Sequence, residues 1–96
     1  MLVIAHHFIQ NPEVFWSSAE KFTPSIPSNL KLHSVFPSQD LKTGTCVWEG
    51  PNANEVQKFL DDKLGDVAKN VCYEVKEEMG IGLPQKTMQE TLQSQN

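Results

Sequence analysis

Apolar residues recur along this chain with two different periods, and the switches between them mark six elements. Leu2 to Ile9 is a short, continuous apolar run with β-branched members, bounded by the turn residues Asn11 and Pro12, which predicts a strand buried on both faces. The period then lengthens. Phe15, Ala19 and Phe22 share one stripe of a helix over residues 12 to 22, with Asn11 as its N-cap, Pro12 at the first helical position, Glu13 in the first turn and Pro24 beyond its end. After a Pro/Ser linker over residues 23 to 29, Leu30, Leu32, Ser34 and Phe36 alternate with Lys31, His33 and Val35, the period of a strand with two unlike faces over residues 30 to 36. Residues 37 to 44 read as a turn around Asp40, and residues 45 to 49 as the returning strand of a hairpin, ended by Gly50-Pro51. Asn52 and Glu55 have capping-box spacing ahead of Val56, Phe59, Leu60 and Leu64, which predicts a helix over 52 to 64 stopped by Gly65. Over residues 70 to 76, Val71, Tyr73 and Val75 alternate with Cys72 and Glu74 as a fourth strand.

The order βαββαβ is the split βαβ, or ferredoxin-like, arrangement, so residues 1 to 76 are expected to form one α+β domain. Right-handed crossovers then place both helices on one face of a four-stranded antiparallel sheet of order 4-1-3-2. Residues 77 to 96 turn polar and read as a partly ordered extension, with at most a frayed helical turn after residue 85. Two helices cover only one face, and the other is too apolar and aromatic to face water. A second copy is the simplest cover, which predicts a homodimer in which two sheets pack face to face as a dimeric α/β barrel.

A chain of 96 residues with 39% hydrophobic and 21% charged positions suits one ordinary globular domain with one core. The net charge of -4 and the single, scattered lysines argue against a nucleic-acid partner, since phosphate binding needs clustered cations. The first apolar run is too short to span a bilayer and has neither a basic leader nor a small-residue cleavage site, so a cytoplasmic protein with no membrane partner is expected. In that reducing compartment Cys46 and Cys72 are expected as thiols. Their strands lie two spacings apart, about 9 to 10 Å, which exceeds disulfide reach.

The same strand order sets the candidate chemistry. The first strand, carrying His6 and His7, runs between the strands of Cys46 and Cys72, and alternation lets only one of the two histidines share a face with Cys46. With Leu30, Leu32 and Phe36 turned to the helices, His33 faces the open side. One of His6 and His7, together with His33, Cys46 and Glu49, is therefore expected to line a cavity on the open sheet face. Imidazole and thiolate suit nickel, zinc or copper, with the Glu49 carboxylate completing or orienting the shell. As a small-ligand pocket, the same region offers His7, His33, Trp48 and Glu49. Each residue also has a plainer reading: buried cysteine is commonly an inert small hydrophobe, strand histidine a hydrogen-bonded one, and tryptophan a core or interface filler. Asp40 reads as a turn former, and Glu74, Glu77 and Glu78 as a solvated acidic edge.

The stretch from Ser34 to Pro51, with Ser34, Asp40 and the run Cys46-Val47-Trp48-Glu49-Gly50-Pro51, resembles the central hairpin of a small uncharacterised bacterial family that includes nickel-binding, ferredoxin-like proteins, and the likeness extends more loosely over residues 1 to 76. The resemblance implies a dimeric α/β barrel that binds a transition metal such as nickel, or a small ligand, and it supplies no reaction. One alternative is a cofactor-independent monooxygenase or small isomerase with His7, His33 and Trp48 as pocket residues, an analogy at the level of fold. No nucleophile-base constellation, phosphate loop or dinucleotide fingerprint is recognisable along the chain to favour it. A further alternative is an interaction module whose dimer surface is the whole function.

Overall fold

Two asparagines start the two helices of the computed structural model, which describes residues 1 to 86. Asn11 Oδ1 accepts from the Val14 N–H (3.2 Å) at the head of α1 (Pro12–Phe22), and Asn52 Oδ1 accepts from the Glu55 N–H (2.9 Å) at the head of α2 (Ala53–Leu64). Each side chain satisfies one of the first-turn donors that a helix leaves unpaired. The strands are β1 (Leu2–Ile9), β2 (Lys31–Pro37), β3 (Thr43–Glu49) and β4 (Ala68–Glu74), with short 3-10 turns at Thr23–Ser25 and Glu77–Met79. All neighbours are antiparallel and the order is β2-β3-β1-β4, which is 4-1-3-2 read from the opposite edge. The ferredoxin-like βαββαβ layout is thus the observed fold, and β4 begins two residues earlier than the alternation of Val71, Tyr73 and Val75 suggests. Among the described residues, no helix is long and apolar enough to cross a membrane.

The core lies between the sheet and the helices. Val3, Ala5 and Ile9 of β1 and Trp48 of β3 meet Phe15 and Phe22 of α1 and Val56, Leu60 and Leu64 of α2. Phe59 bridges the helices and the sheet, edge-on to Phe22 (5.3 Å between centroids) and to Trp48 (5.9 Å), geometries that aromatic quadrupoles favour.

Strand β2 departs from simple alternation. A bulge between Leu32 and Ser34 leaves His33 without a partner residue, and pairing resumes as Ser34 with Val47, Val35 with Cys46 and Phe36 with Thr45. One extra residue moves every later side chain to the other face. Phe36 and Ser34, expected with Leu32 against the helices, therefore stand on the open face, and Val35 takes the helix side.

The acidic edge expected at Glu74, Glu77 and Glu78 is partly recruited into structure. Glu74 accepts from the Ala53 N–H (3.0 Å) at the α2 N-terminus, where a carboxylate is favoured. Glu77 accepts from the Leu2 N–H (3.2 Å) and pairs with Lys86 (2.8 Å), so the chain after β4 returns to the start of β1. The helical turn expected near the C-terminus falls mostly in residues 87 to 96, outside the described residues.

Candidate functional site

The demand to bury Trp48 decides where Cys46 goes. Trp48 is essentially inaccessible in the core, and side chains two apart on a strand share a face, so Cys46 and Gly44 also point toward the helices. Gly44 matters because its bare Cα admits a ring: a Cβ there would stand 3.1 Å from the Trp16 indole. Trp16 of α1 lies across this point and donates its indole N–H to the Leu41 carbonyl (3.1 Å).

On β1, His7 pairs with Gly44 on one side and Asn70 on the other, and its side chain is only 1% exposed beneath α1. Asn70 fixes the protonation of that ring. Its Nδ2 donates to the Leu60 carbonyl (3.4 Å) and to Asp61 Oδ1 (3.2 Å), which leaves Asn70 Oδ1 to accept from His7 Nδ1–H at 2.7 Å. The lone pair of His7 Nε2 then accepts from the Cys46 S–H, 3.3 Å away. Burial pushes the Cys46 thiol up to about 12 and, against the Asn70 hydrogen bond, lowers the His7 pKa below its ordinary value. The resting arrangement is a neutral thiol donating to a neutral imidazole that an amide holds in one tautomer.

This pair forms one wall of a half-open cavity of about 230 Å³ between α1 and the sheet. Phe15, Phe22, Leu32 and Leu60 give it apolar walls, while Glu20, Thr23 and Val35 stand at its exposed rim. Trp48 also lines it, and the Trp48 indole N–H is buried without a hydrogen-bond partner. That nitrogen has essentially no accessible surface, so it faces packed atoms rather than the open space of the cavity.

The residues expected together on the open face are divided between two faces. His7, Cys46 and Trp48 line the cavity on the helix side. On the open side His6 Nδ1 lies 3.1 Å from Thr45 Oγ1, and His33 Nε2 lies 2.8 Å from the fully buried Glu49 carboxylate. The split follows from alternation on β3, where Trp48 and Glu49 must take opposite faces. Both cysteines are free thiols. Among the described residues no group of three or more His, Cys, Asp or Glu side chains is placed to hold a metal ion.

Asn70 is the member that sequence reasoning passed over. Its signal was present: an asparagine, poorly suited to strands, inside an apolar alternating run whose register sets it opposite His7. In comparisons with protein families, curated proteins and solved structures, none matches this chain.

Proposed function

We propose that the protein binds a compact, largely apolar small molecule held between α1 and the sheet. The observation that carries this is the half-open cavity of about 230 Å³ lined mainly by apolar side chains. Apolar cavities of about 150 Å³ already admit a benzene-sized guest. Small-molecule sites are typically such concave apolar spaces with a few fixed polar groups that orient the ligand.

A transition metal draws on the same Cys46 and His7 donors, and the geometry favours it less. Zinc sites use three or four protein ligands, whereas two converge here. Ligation also requires a thiolate, and burial holds the Cys46 thiol up at about 12.

Ligand-detected NMR with small neutral ketones such as cyclohexanone and acetophenone tests the proposal. Wild-type protein is expected to bind saturably. The cavity-filling substitution Ala19→Phe, in a wall of the cavity, is expected to abolish binding while the circular dichroism spectrum is retained. Absence of saturable binding, or equal binding by Ala19→Phe, overturns the reading. A stoichiometric metal found by elemental analysis of untagged protein turns it toward the metal instead.

A further inference from the structure

We infer that Cys46 is a covalent nucleophile for small α,β-unsaturated carbonyl compounds admitted to this cavity, with His7 as its base. The inference rests on the small-molecule reading of the cavity and adds a reaction to it. It begins from a constellation that no sequence motif announces: a thiol 3.3 Å from an imidazole nitrogen whose other nitrogen is held at 2.7 Å by an oriented amide. A nucleophile touching a base, with the base held by a third group, is the general pattern of an activated side chain.

Several features select the class of electrophile. The walls are apolar, and addition to a conjugated double bond needs neither a leaving group nor water. Because burial keeps free thiolate scarce, attack has to be coupled to proton transfer, and the Cys46–His7 hydrogen bond supplies the path.

The step balances without a further reactant. The Cys46 sulfur forms a bond to the β-carbon as its proton passes to His7 Nε2. The π pair of the C=C bond moves into the α-carbon and carbonyl to give an enolate. His7 then returns the proton to the α-carbon, and the net change is addition of S–H across the double bond. Throughout, His7 Nδ1–H stays on Asn70 Oδ1.

Cys72 provides an internal control. It is more exposed than Cys46 and lies apart, in a shallow pocket with Ala53, Asn54 and Gln57. Accessibility alone therefore favours Cys72, and selective reaction at Cys46 reports the assembled site.

The full chain is incubated with cyclohex-2-enone and read by intact mass and peptide mapping, while cyclohexanone binding is followed in parallel by ligand-detected NMR. One adduct is expected, on Cys46, forming at least about tenfold faster than on Cys72 and saturating with enone concentration, a comparison that needs no variant. His7→Gln is expected to add the enone about 100-fold more slowly, the scale of a lost general base. Cys46→Ser is expected to form no cavity adduct. Equal, non-saturating modification of both cysteines overturns the inference, as does preference for Cys72. Cyclohexanone binding without any adduct overturns the inference and leaves the binding reading standing. Failure of both compounds to bind overturns both.

Discussion

At Cys46 and His7, burial acts on an acid and a base in opposite directions, and the two shifts together bracket a pH range for folding. The folded imidazole titrates below its ordinary 6.5 because burial disfavours its charged form. Below that pH the unfolded chain binds more protons than the folded one, so the His7 contribution to stability is full above about pH 6.5 and falls as pH drops toward the folded value. The thiols run the other way. Burial raises Cys46 to about 12 and Cys72 to about 11 from an ordinary 9.0, so the unfolded chain releases protons first and stability falls as pH rises beyond about 9. Glu77 and Asp40, held low by their hydrogen bonds, add to the acid limb only below about pH 4.5. The Met1 amine, lowered from its ordinary 8.0 chiefly by burial, adds a decline below about pH 8. A urea midpoint that is flat between about pH 8 and 9 and declines on either side is the expected result, with His7→Gln removing the part of the acid limb that begins near pH 6.5 and Cys46→Ala reducing the alkaline one. A wild-type midpoint unchanged as the pH falls one unit below 6.5 would show that His7 is not held neutral. At this scale the sequence exposed the candidate side chains but not their partners. Only one histidine could share a face with Cys46, yet choosing His7 required the register that sets it opposite Gly44 on β3, and Asn70 enters through the register between β1 and β4; only the folded sheet defines either.

Helix α2 and strand β4 are joined by Gln57, which behaves toward the strand edge much as a neighbouring strand would. Its Oε1 accepts from the Cys72 N–H (2.9 Å) and its Nε2 donates to the Asn70 carbonyl, so two outward-facing backbone groups of an edge strand are closed. Unpaired edges invite association with other chains, and covering them with a helix is one way to prevent it. Gln57→Leu strands both groups, and a loss of about 1 to 3 kcal/mol is expected in urea unfolding, with increased aggregation near the midpoint. Because the same bonds steady the backbone at Asn70, the His7 ring NMR signals should broaden or shift in this variant; unchanged stability and unchanged ring signals would count against the coupling. The β2–β3 hairpin offers the opposite sign. Asp40 accepts from the Ser38 hydroxyl (2.8 Å) and the Lys42 N–H (3.0 Å), and the turn forces Leu41 to φ 64, a left-handed conformation that costs a residue with a Cβ. Leu41→Gly is expected to raise stability by roughly 1 kcal/mol, and a lower urea midpoint would refute that account. Both helices were legible in the sequence because Asn11, Pro12, Asn52 and Gly65 write their ends locally. The bulge in β2 was not, since the extra residue is defined only against its partner strand, and that single event is why Phe36 lies on the face opposite to the one alternation assigns.

Across the whole molecule the open sheet face is where composition and architecture meet. Read across the strands in register, its two central rows are Phe36, Thr45, His6 and Val71, then Ser34, Val47, Ile4 and Tyr73. Neither row holds an Asp, Glu or Lys. Charge enters only in the flanking rows, with Lys69 beside Phe8 at one end and Lys31 beside the buried Glu49 at the other. Phe8, Phe36, Val71 and Tyr73 are 53%, 59%, 40% and 50% exposed, a concentration of large apolar surface that a soluble monomer rarely carries on one flat face. An apolar, charge-free centre with a charged margin is the layout of a protein interface. Sheets of two identical chains meeting about a two-fold axis place the same rows against each other without opposing a lysine to the centre. The expected state is therefore a homodimer closed through this face, with both cavities on the outer, helix-covered sides and free to take ligand. Light scattering coupled to size exclusion should give twice the chain mass at micromolar concentration. Phe36→Glu or Tyr73→Lys, each placing a charge in a central row, should raise the dissociation constant at least about 100-fold, the effect of losing roughly 3 kcal/mol at a buried anchor. Ketone binding should be unchanged in those monomers, because the two faces share the sheet and none of their side chains. A wild-type monomer at high micromolar concentration would refute the second copy as the cover, and so would a dimer that both substitutions leave intact.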